Sequence, residues 1–121
     1  MYEISVTRDF AAAHRLNNYH GQCTNLHGHT WKIEVSAASD HLNETGMVMD
    51  FKDLKIALEV ILERYDHGYL NEISPFDRIN PTAENIAREI YLELKAACIG
   101  CKIRKVSVWE SANCCANYWE D

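Results

Sequence analysis

The residues best suited to chemistry lie in one short segment, Cys23-Thr24-Asn25-Leu26-His27-Gly28-His29. Side chains two positions apart on a β-strand point to the same face, so His27 and His29 would project side by side if the following strand extends back to them. Two imidazoles on a largely apolar face need partners for their ring nitrogens, and a divalent metal ion supplies one. A His-Gly-His segment such as His27-Gly28-His29 is, by itself, more often a pair of ordinary histidines than a metal site, because short motifs are weak signals.

His14 strengthens the metal hypothesis. It ends an alternating segment, residues 2–14, on the same parity as the apolar side chains, and residues 15–26 can return the chain beside it. Two neighbouring strands would then supply three imidazole nitrogens, which leaves one position of a tetrahedral zinc ion open, as in catalytic sites. We therefore predict His14, His27 and His29 as metal ligands. Zinc is the favoured ion, although nickel, cobalt and copper also suit imidazole.

Cys23, four residues before His27, has three possible roles. A thiol near a cation loses its proton readily and can act as base or nucleophile. It can also be a fourth zinc ligand that closes the site, or an inert buried thiol. Spacing alone leaves the three open.

Two further carboxylates are candidates. Asp66 precedes His67 and could orient it for proton transfer, although a histidine after a helix is also favoured by the helix dipole. Glu110 shares the parity of Val106 and Val108 in a predicted strand, where a buried carboxylate would need a donor such as a guanidine-like ligand edge. An exposed strand end explains Glu110 equally well.

Alternation of period two predicts the strands that carry these residues. It runs over residues 2–14 and 29–37. Two closing strands, over 102–110 and 114–119, are predicted from their content of Val, Ile, Trp and Tyr. Met47-Val48-Met49, after a predicted turn over 40–46, could pair back as a further short strand.

Two apolar stripes with helical spacing lie between these strands. Asp50 is a natural N-cap for the first helix, and Gly100 supplies a stop for the second. The first stripe is Phe51, Leu54, Leu58, Ile61 and Tyr65, and the second is Ala83, Ile86, Ile90, Leu94 and Ala97. The order β-β-α-α-β-β predicts an α+β domain over 1–121, a four-stranded antiparallel sheet with two helices on one face. Its open edges invite pairing between subunits.

Composition excludes several classes of protein. The 121 residues are 47% hydrophobic and 25% charged, which is typical of one globular domain. A net charge of −6 argues against a nucleic-acid surface. No apolar run approaches the ~18 residues of a membrane span, and no export signal is visible at Met1.

The five cysteines fit a reducing compartment better than a disulfide framework. A cytoplasmic protein is therefore expected. Cys98 and Cys101 have metal-site spacing, but Cys98 continues a helix stripe, which favours a core role. Cys114 and Cys115 are predicted to be strand residues.

Taken together, the motifs resemble the 6-pyruvoyl-tetrahydropterin synthase family over nearly the whole chain. The three-residue gap between Cys23 and His27 favours its bacterial, carboxy-forming branch, which serves queuosine biosynthesis. The matching segments are Phe10-Ala11-Ala12-Ala13-His14-Arg15-Leu16, Cys23 with His27-Gly28-His29, Asp50-Phe51 with Leu54-Lys55, Tyr65 to Asn71, Asn80-Pro81-Thr82 with Glu84-Asn85, and Val108-Trp109-Glu110-Ser111.

The resemblance implies a tunnelling fold, in which three subunits join their sheets into a barrel, two trimers stack as a hexamer, and active sites lie between subunits. It implies one zinc ion per subunit on His14, His27 and His29. Cys23 would be the base, and His67, oriented by Asp66, a proton relay. Glu110 would anchor the pterin ring and could take part in the relay.

The implied substrate is 7,8-dihydroneopterin triphosphate, converted by a lyase to 6-carboxy-5,6,7,8-tetrahydropterin, acetaldehyde and triphosphate. Two alternatives stay open at this point. One is the pyruvoyl-forming reaction, which eliminates triphosphate without carbon–carbon cleavage. The other is a non-catalytic zinc or purine-binding module in which Cys23 completes the coordination.

Overall fold

The first alternating segment forms strand β1 (Tyr2–His14), which pairs antiparallel with β2 (His27–Ser39). The computed structural model describes residues 1–17, 26–97 and 101–121. Its register sets Tyr2 opposite Ser39 and His14 opposite His27. The prediction of a strand over 29–37 is confirmed, and the strand extends back to include His27.

The two predicted helices are α1 (Phe51–Glu63) and α2 (Ala83–Ala97). Asp50 is the N-cap of α1, as predicted, because its side chain accepts a hydrogen bond from the Lys52 backbone N–H at 2.9 Å. Each apolar stripe is wrong at one end, since Phe51, the first residue of one, is 54% exposed and Ala97, the last residue of the other, is also exposed. The central positions of both stripes are buried.

The sheet has five strands in the order β3-β1-β2-β4-β5, with β4 (Lys102–Ser111) and β5 (Cys114–Tyr118) closing one side. The prediction of four antiparallel strands is therefore wrong in one respect. The extra strand, β3 (Gly68–Tyr69), pairs parallel with β1 at Ala12 and Ala13. Two residues are too few to show a period, so no sequence pattern marks this strand.

The expected pairing of Met47-Val48-Met49 is wrong. This segment is not in a strand. Instead, the Asn43 side-chain oxygen accepts from the backbone N–H groups of Thr45 and Met47 at 3.0 Å each, and the Asn43 N–H donates to Met47 O at 2.8 Å. Such asparagine-centred turns satisfy the backbone locally and remove the need for a partner strand.

Both helices pack on one face of the sheet, as predicted, and share a single apolar core with it. Alternate residues of β1, β2 and β4 supply the sheet's part of that core, notably Val6, Phe10, Trp31, Ile33, Val35, Val106 and Val108. The same parity carries His14 and His29, so the candidate ligands lie at the end of the core face. Over the described ranges, neither helix has the length and apolarity needed to cross a bilayer.

Candidate active site

Three histidines converge at the junction of β1 and β2. His14 and His27 are directly opposite in the register, and His29 lies opposite Ala12 on the same face. The ring centroid of His14 lies 4.6 Å from that of His27 and 5.1 Å from that of His29. We call these three residues the histidine trio. The juxtaposition predicted from strand parity is confirmed.

Glu110 completes a group of four side chains that could bind a metal ion. It follows Trp109, which pairs with Lys32 of β2, so its side chain falls on the core face beside the trio. Its Oε1 lies 2.9 Å from His29 Nε2, 3.3 Å from His14 Nε2 and 4.0 Å from His27 Nε2. The sequence left an inward and an exposed Glu110 equally open, and these distances place the carboxylate on the inward side.

The spacing of these donor atoms fits a metal ion. The four atoms lie within 4.8 Å of one another, and His14 Nε2 is 3.0 Å from His27 Nε2. Donors at ~2.0–2.1 Å from a tetrahedral zinc ion would be about 3.3 Å apart. His29 Nε2 is shielded from solvent, and among the described residues its 2.9 Å contact with Glu110 Oε1 lacks the geometry of a hydrogen bond. The set can therefore hold a metal ion, with neutral imidazoles and a carboxylate that suit zinc and related divalent ions.

The tautomer of His14 favours ligation. His14 is 1% exposed, and its Nδ1 lies 2.8 Å from the Pro81 carbonyl oxygen. A carbonyl only accepts hydrogen bonds, so Nδ1 carries the proton and donates. The lone pair of the ring is then on Nε2, the atom that faces the other donors.

Electrostatics keep His29 in the neutral form that binds metals. Burial is the main cause that lowers its pKa; the Glu110 carboxylate opposes this effect, and the imidazoles of His14 and His27 add to it. Trp31 forms an apolar wall under the trio, with its ring centroid 4.9 Å from that of His14 and 5.3 Å from that of His29.

Asp66 and His67 are attached to the edge of β1 but do not join the trio. The Ala11 N–H donates to Asp66 Oδ1 at 2.9 Å, and the His67 N–H donates to Ala11 O at 2.6 Å. Asp66 Oδ2 lies 3.1 Å from His67 Nδ1, so the two side chains are in contact. The hydrogen bond from Ala11, followed by that from His67, lowers the pKa of Asp66, while its partial desolvation opposes the shift.

The His67 side chain is 83% exposed and its backbone adopts a left-handed φ of 60°. Such a φ is uncommon for a residue other than glycine and is more frequent at functional sites. His67 lines a shallow depression of about 460 Å³ together with Ala11, Ala13, Gly28 and His29.

The remaining predicted site residue, Cys23, lies outside the described residues, as does Cys98. Cys101 packs against the core, with its Sγ 3.5 Å from Met49 Sδ, and Cys114 and Cys115 are in β5 as predicted. Over the described ranges, the group of His14, His27, His29 and Glu110 is the one cluster of metal-ligating side chains.

Sequence reasoning missed the residues that hold His14. The Pro81 carbonyl contacts its ring, and the Asn80 side chain pairs with the Asn17 backbone. The Asn80-Pro81-Thr82 segment directly precedes α2, but nothing in a sequence pattern shows which distant ring a backbone carbonyl contacts.

Two proteins similar in sequence to this chain share one name. A 6-carboxy-5,6,7,8-tetrahydropterin synthase of Synechocystis is 39% identical over 124 residues, covering 98% of this chain and 94% of the relative. The Haemophilus influenzae protein of the same name is 35% identical, covering 99% of this chain and all of the relative.

The solved structures include a 6-pyruvoyl tetrahydropterin synthase of Caenorhabditis elegans, which superposes with a TM-score of 0.89 at 25% identity, covering 99% of this chain and 96% of that one. The profile that matches residues 3–121 is that of 6-pyruvoyl tetrahydropterin synthase. With the two-strand histidine trio, the five-stranded sheet and this full-length match in agreement, the chain belongs to the 6-pyruvoyl tetrahydropterin synthase family.

Proposed function

We propose that this protein is a metal-dependent lyase that converts 7,8-dihydroneopterin triphosphate and one molecule of water to 6-carboxy-5,6,7,8-tetrahydropterin, acetaldehyde and triphosphate. The observation that carries the proposal is the convergence of His14, His27, His29 and Glu110 in a chain whose full-length relatives are named for that product. On the resemblance to the bacterial branch of the family, the product would lead towards queuosine and other 7-deazapurines.

The trio would hold one zinc ion per subunit, which when bound supplies a Lewis acid that polarises the oxygens on the side chain of the substrate. His14 contributes a ring fixed in one tautomer, and His29 contributes a ring kept neutral by burial. Trp31 excludes water from one side of the trio, which strengthens electrostatic interactions there.

We assign Glu110 to the pterin ring. A carboxylate is an effective acceptor for the paired N–H donors of an amino-pyrimidine edge. Its Oε1 lies 3.3 Å from His14 Nε2 and 2.9 Å from His29 Nε2, so a ring held by Glu110 would lie beside the histidine trio. Glu110 would therefore fix the ring next to the reacting carbon atoms.

Cys23 would be the base, because a thiol beside a cation loses its proton more readily. His67, oriented by the ionised Asp66, would relay the proton. This assignment is supported by the Cys-x-x-x-His-Gly-His and Asp-His segments that the chain shares with the family pattern.

We further propose that His67 serves the site of a neighbouring subunit in a homo-oligomer. In this oligomer three subunits form a barrel, and two such barrels stack on each other. Two observations support this proposal. His67 is exposed and absent from the converging group. In addition, β3 pairs with only Ala12 and Ala13 of β1, which leaves most of the outer edge of β1 without recorded pairing in the part of the chain described here.

Product analysis tests the reaction. The protein is incubated with 7,8-dihydroneopterin triphosphate and every product is identified. Equimolar acetaldehyde and 6-carboxy-5,6,7,8-tetrahydropterin are expected. A pyruvoyl pterin without acetaldehyde would show the pyruvoyl-forming activity instead, and no turnover with full metal content would favour a binding module. Cys23→Ala should lose turnover and keep its metal; loss of both would make Cys23 a ligand.

Subunit complementation tests the shared site. Inactive His29→Ala and His67→Ala chains are mixed under dissociating conditions and reassembled. Activity should return, because some sites combine an intact trio from one chain with an intact His67 from the other. If His67 acts within its own subunit, every site in the mixture keeps one defect and activity stays absent.

A further inference from the structure

The position of His14 depends on a carbonyl group that is itself held by its neighbours. The Pro81 carbonyl accepts from His14 Nδ1, and the proline ring fixes the backbone φ at that residue. The preceding residue, Asn80, is restricted by the proline to extended conformations. The segment just before α2 is therefore a rigid support for the buried ring.

Hydrogen bonds to the start of α2 fix this support further. The Asn80 carbonyl accepts from the Asn85 side-chain amide at 2.8 Å and from the Thr82 N–H at 2.9 Å. Thr82 Oγ1 in turn accepts a hydrogen bond from the Asn85 backbone N–H at 3.1 Å. Asn85 thus ties the Asn80–Thr82 segment to the first turn of the helix.

The Asn80 side chain connects the same segment to the chain that leaves β1. Its Oδ1 accepts from the Asn17 N–H at 2.9 Å, and its Nδ2 donates to Asn17 O at 2.8 Å. Asn71 pairs in the same two-point way with Arg15, at 2.8 Å and 2.7 Å. Residues 14, 15 and 17 are therefore held at three successive points by side-chain or carbonyl contacts from outside β1.

We infer that Asn80 is a positioning residue for the metal centre: it holds the Pro81 carbonyl on His14 Nδ1 and the Asn17 backbone in register, and so keeps the His14 lone pair on Nε2 and aimed at the other donors. This inference rests on the proposed function for the metal itself, but the orientation of the ring can be measured without metal. Partners that fix the tautomer of a ligating histidine commonly contribute ~10–100-fold to metal affinity.

Three variants separate positioning from stability. Asn80→Ala removes both bonds to Asn17, and Asn80→Asp keeps the shape and the acceptor but places an oxygen against Asn17 O. Asn85→Ala removes only the bond to the Asn80 carbonyl. The control is Asn43→Ala, which loses three side-chain hydrogen bonds in the turn after β2, at the end of the β1–β2 pair opposite to His14.

The first measurement is the ¹⁵N chemical shift of the His14 ring nitrogens in the metal-free protein. The wild type and Asn43→Ala should show one tautomer, protonated at Nδ1. Both Asn80 variants should show exchange between tautomers, and Asn85→Ala a smaller change in the same direction. If Asn80→Ala fails to fold, the isosteric Asn80→Asp and the milder Asn85→Ala still decide the question.

The second measurement is zinc affinity by competition with a chelator, together with the visible spectrum of the cobalt-substituted protein. Asn80→Ala should bind zinc ~10–100-fold more weakly and change the cobalt spectrum, whereas Asn43→Ala should change neither. Unchanged ring shifts and affinity in both Asn80 variants would overturn the inference, even with a lowered melting temperature. If the wild type binds no zinc while its ring shifts still respond to Asn80, the proposed metal function fails, and the inference holds only for the orientation of the His14 ring.

Discussion

Replacing His27 by alanine should remove most of the thermal stabilisation that zinc gives to this protein. A ligand that binds only the folded state stabilises it by about 4.1 kcal/mol when its free concentration is ~1,000 times Kd. An unfolding entropy of ~2.1 cal/mol/K per residue gives ~0.25 kcal/mol/K for a chain of 121 residues. Zinc at that concentration should therefore raise the wild-type melting temperature by about 16 °C.

Loss of one of the three imidazoles should cost more affinity than the ~10–100-fold typical of an outer partner. A loss of ~1,000-fold leaves zinc at about its Kd, where the stabilisation is ~0.4 kcal/mol and the shift about 2 °C. The assay is differential scanning calorimetry of metal-free protein with buffered zinc. The control is His41→Ala, because His41 is 84% exposed and is not part of the group of ligating side chains. A 16 °C shift retained by His27→Ala, or lost equally by His41→Ala, would refute the ligand assignment.

Three further outcomes are expected. Glu110→Gln should raise KM about 10- to 100-fold while elemental analysis shows unchanged zinc, because charge-assisted hydrogen bonds contribute ~1.5–3 kcal/mol; an unchanged KM would contradict the anchoring role. Leu58→Ala should lower the free energy of unfolding in urea by ~2–5 kcal/mol, since Leu58 is fully buried, whereas Ile56→Ala, at a 47% exposed position, should cost well under half as much. Burial, followed by the charge of Glu93, raises the pKa of Tyr65 to about 12, so folding favours the neutral phenol and the contribution of Tyr65 to stability should fall by about 2 kcal/mol between pH 10 and 12. Ultraviolet titration should show a late-ionising tyrosine that Tyr65→Phe lacks, and its persistence in that variant would disprove the assignment.

The histidine trio was predictable because strand parity is a local property. Alternation in residues 2–14 and 29–37 places His14 and His29 on the apolar face, and a period of two extends that conclusion to His27. The return of the chain after His14 was enough to bring the two strands together. Parity in β4 left the orientation of Glu110 open, and its contacts with His14 and His29 decide it.

The parts that sequence patterns missed depend on long-range or very short contacts. β3 has two residues, and it exists because the backbone after α1 meets the edge of β1 at Ala12. The support of His14 by Pro81 joins residues 67 positions apart, which no periodicity reports. Phe51 occupies a stripe position but lies in the first turn of α1, beyond the edge of the core, and remains exposed.

Other expectations stay predictions. The roles of Cys23 and His67 as base and relay, the hexamer and the cytoplasmic location depend on the family pattern or on cysteine usage, and each has a separate test or measurement. Size-exclusion chromatography with light scattering, for example, would give the subunit number directly.

X-ray absorption at the zinc edge of the loaded protein tests the central claim most directly. The coordination proposed here predicts three imidazole nitrogens at ~2.0–2.1 Å, with an oxygen donor completing the ion. A sulfur neighbour at ~2.3 Å would show that a thiolate closes the site. Either that result or fewer than three imidazoles would contradict a catalytic centre built on His14, His27 and His29.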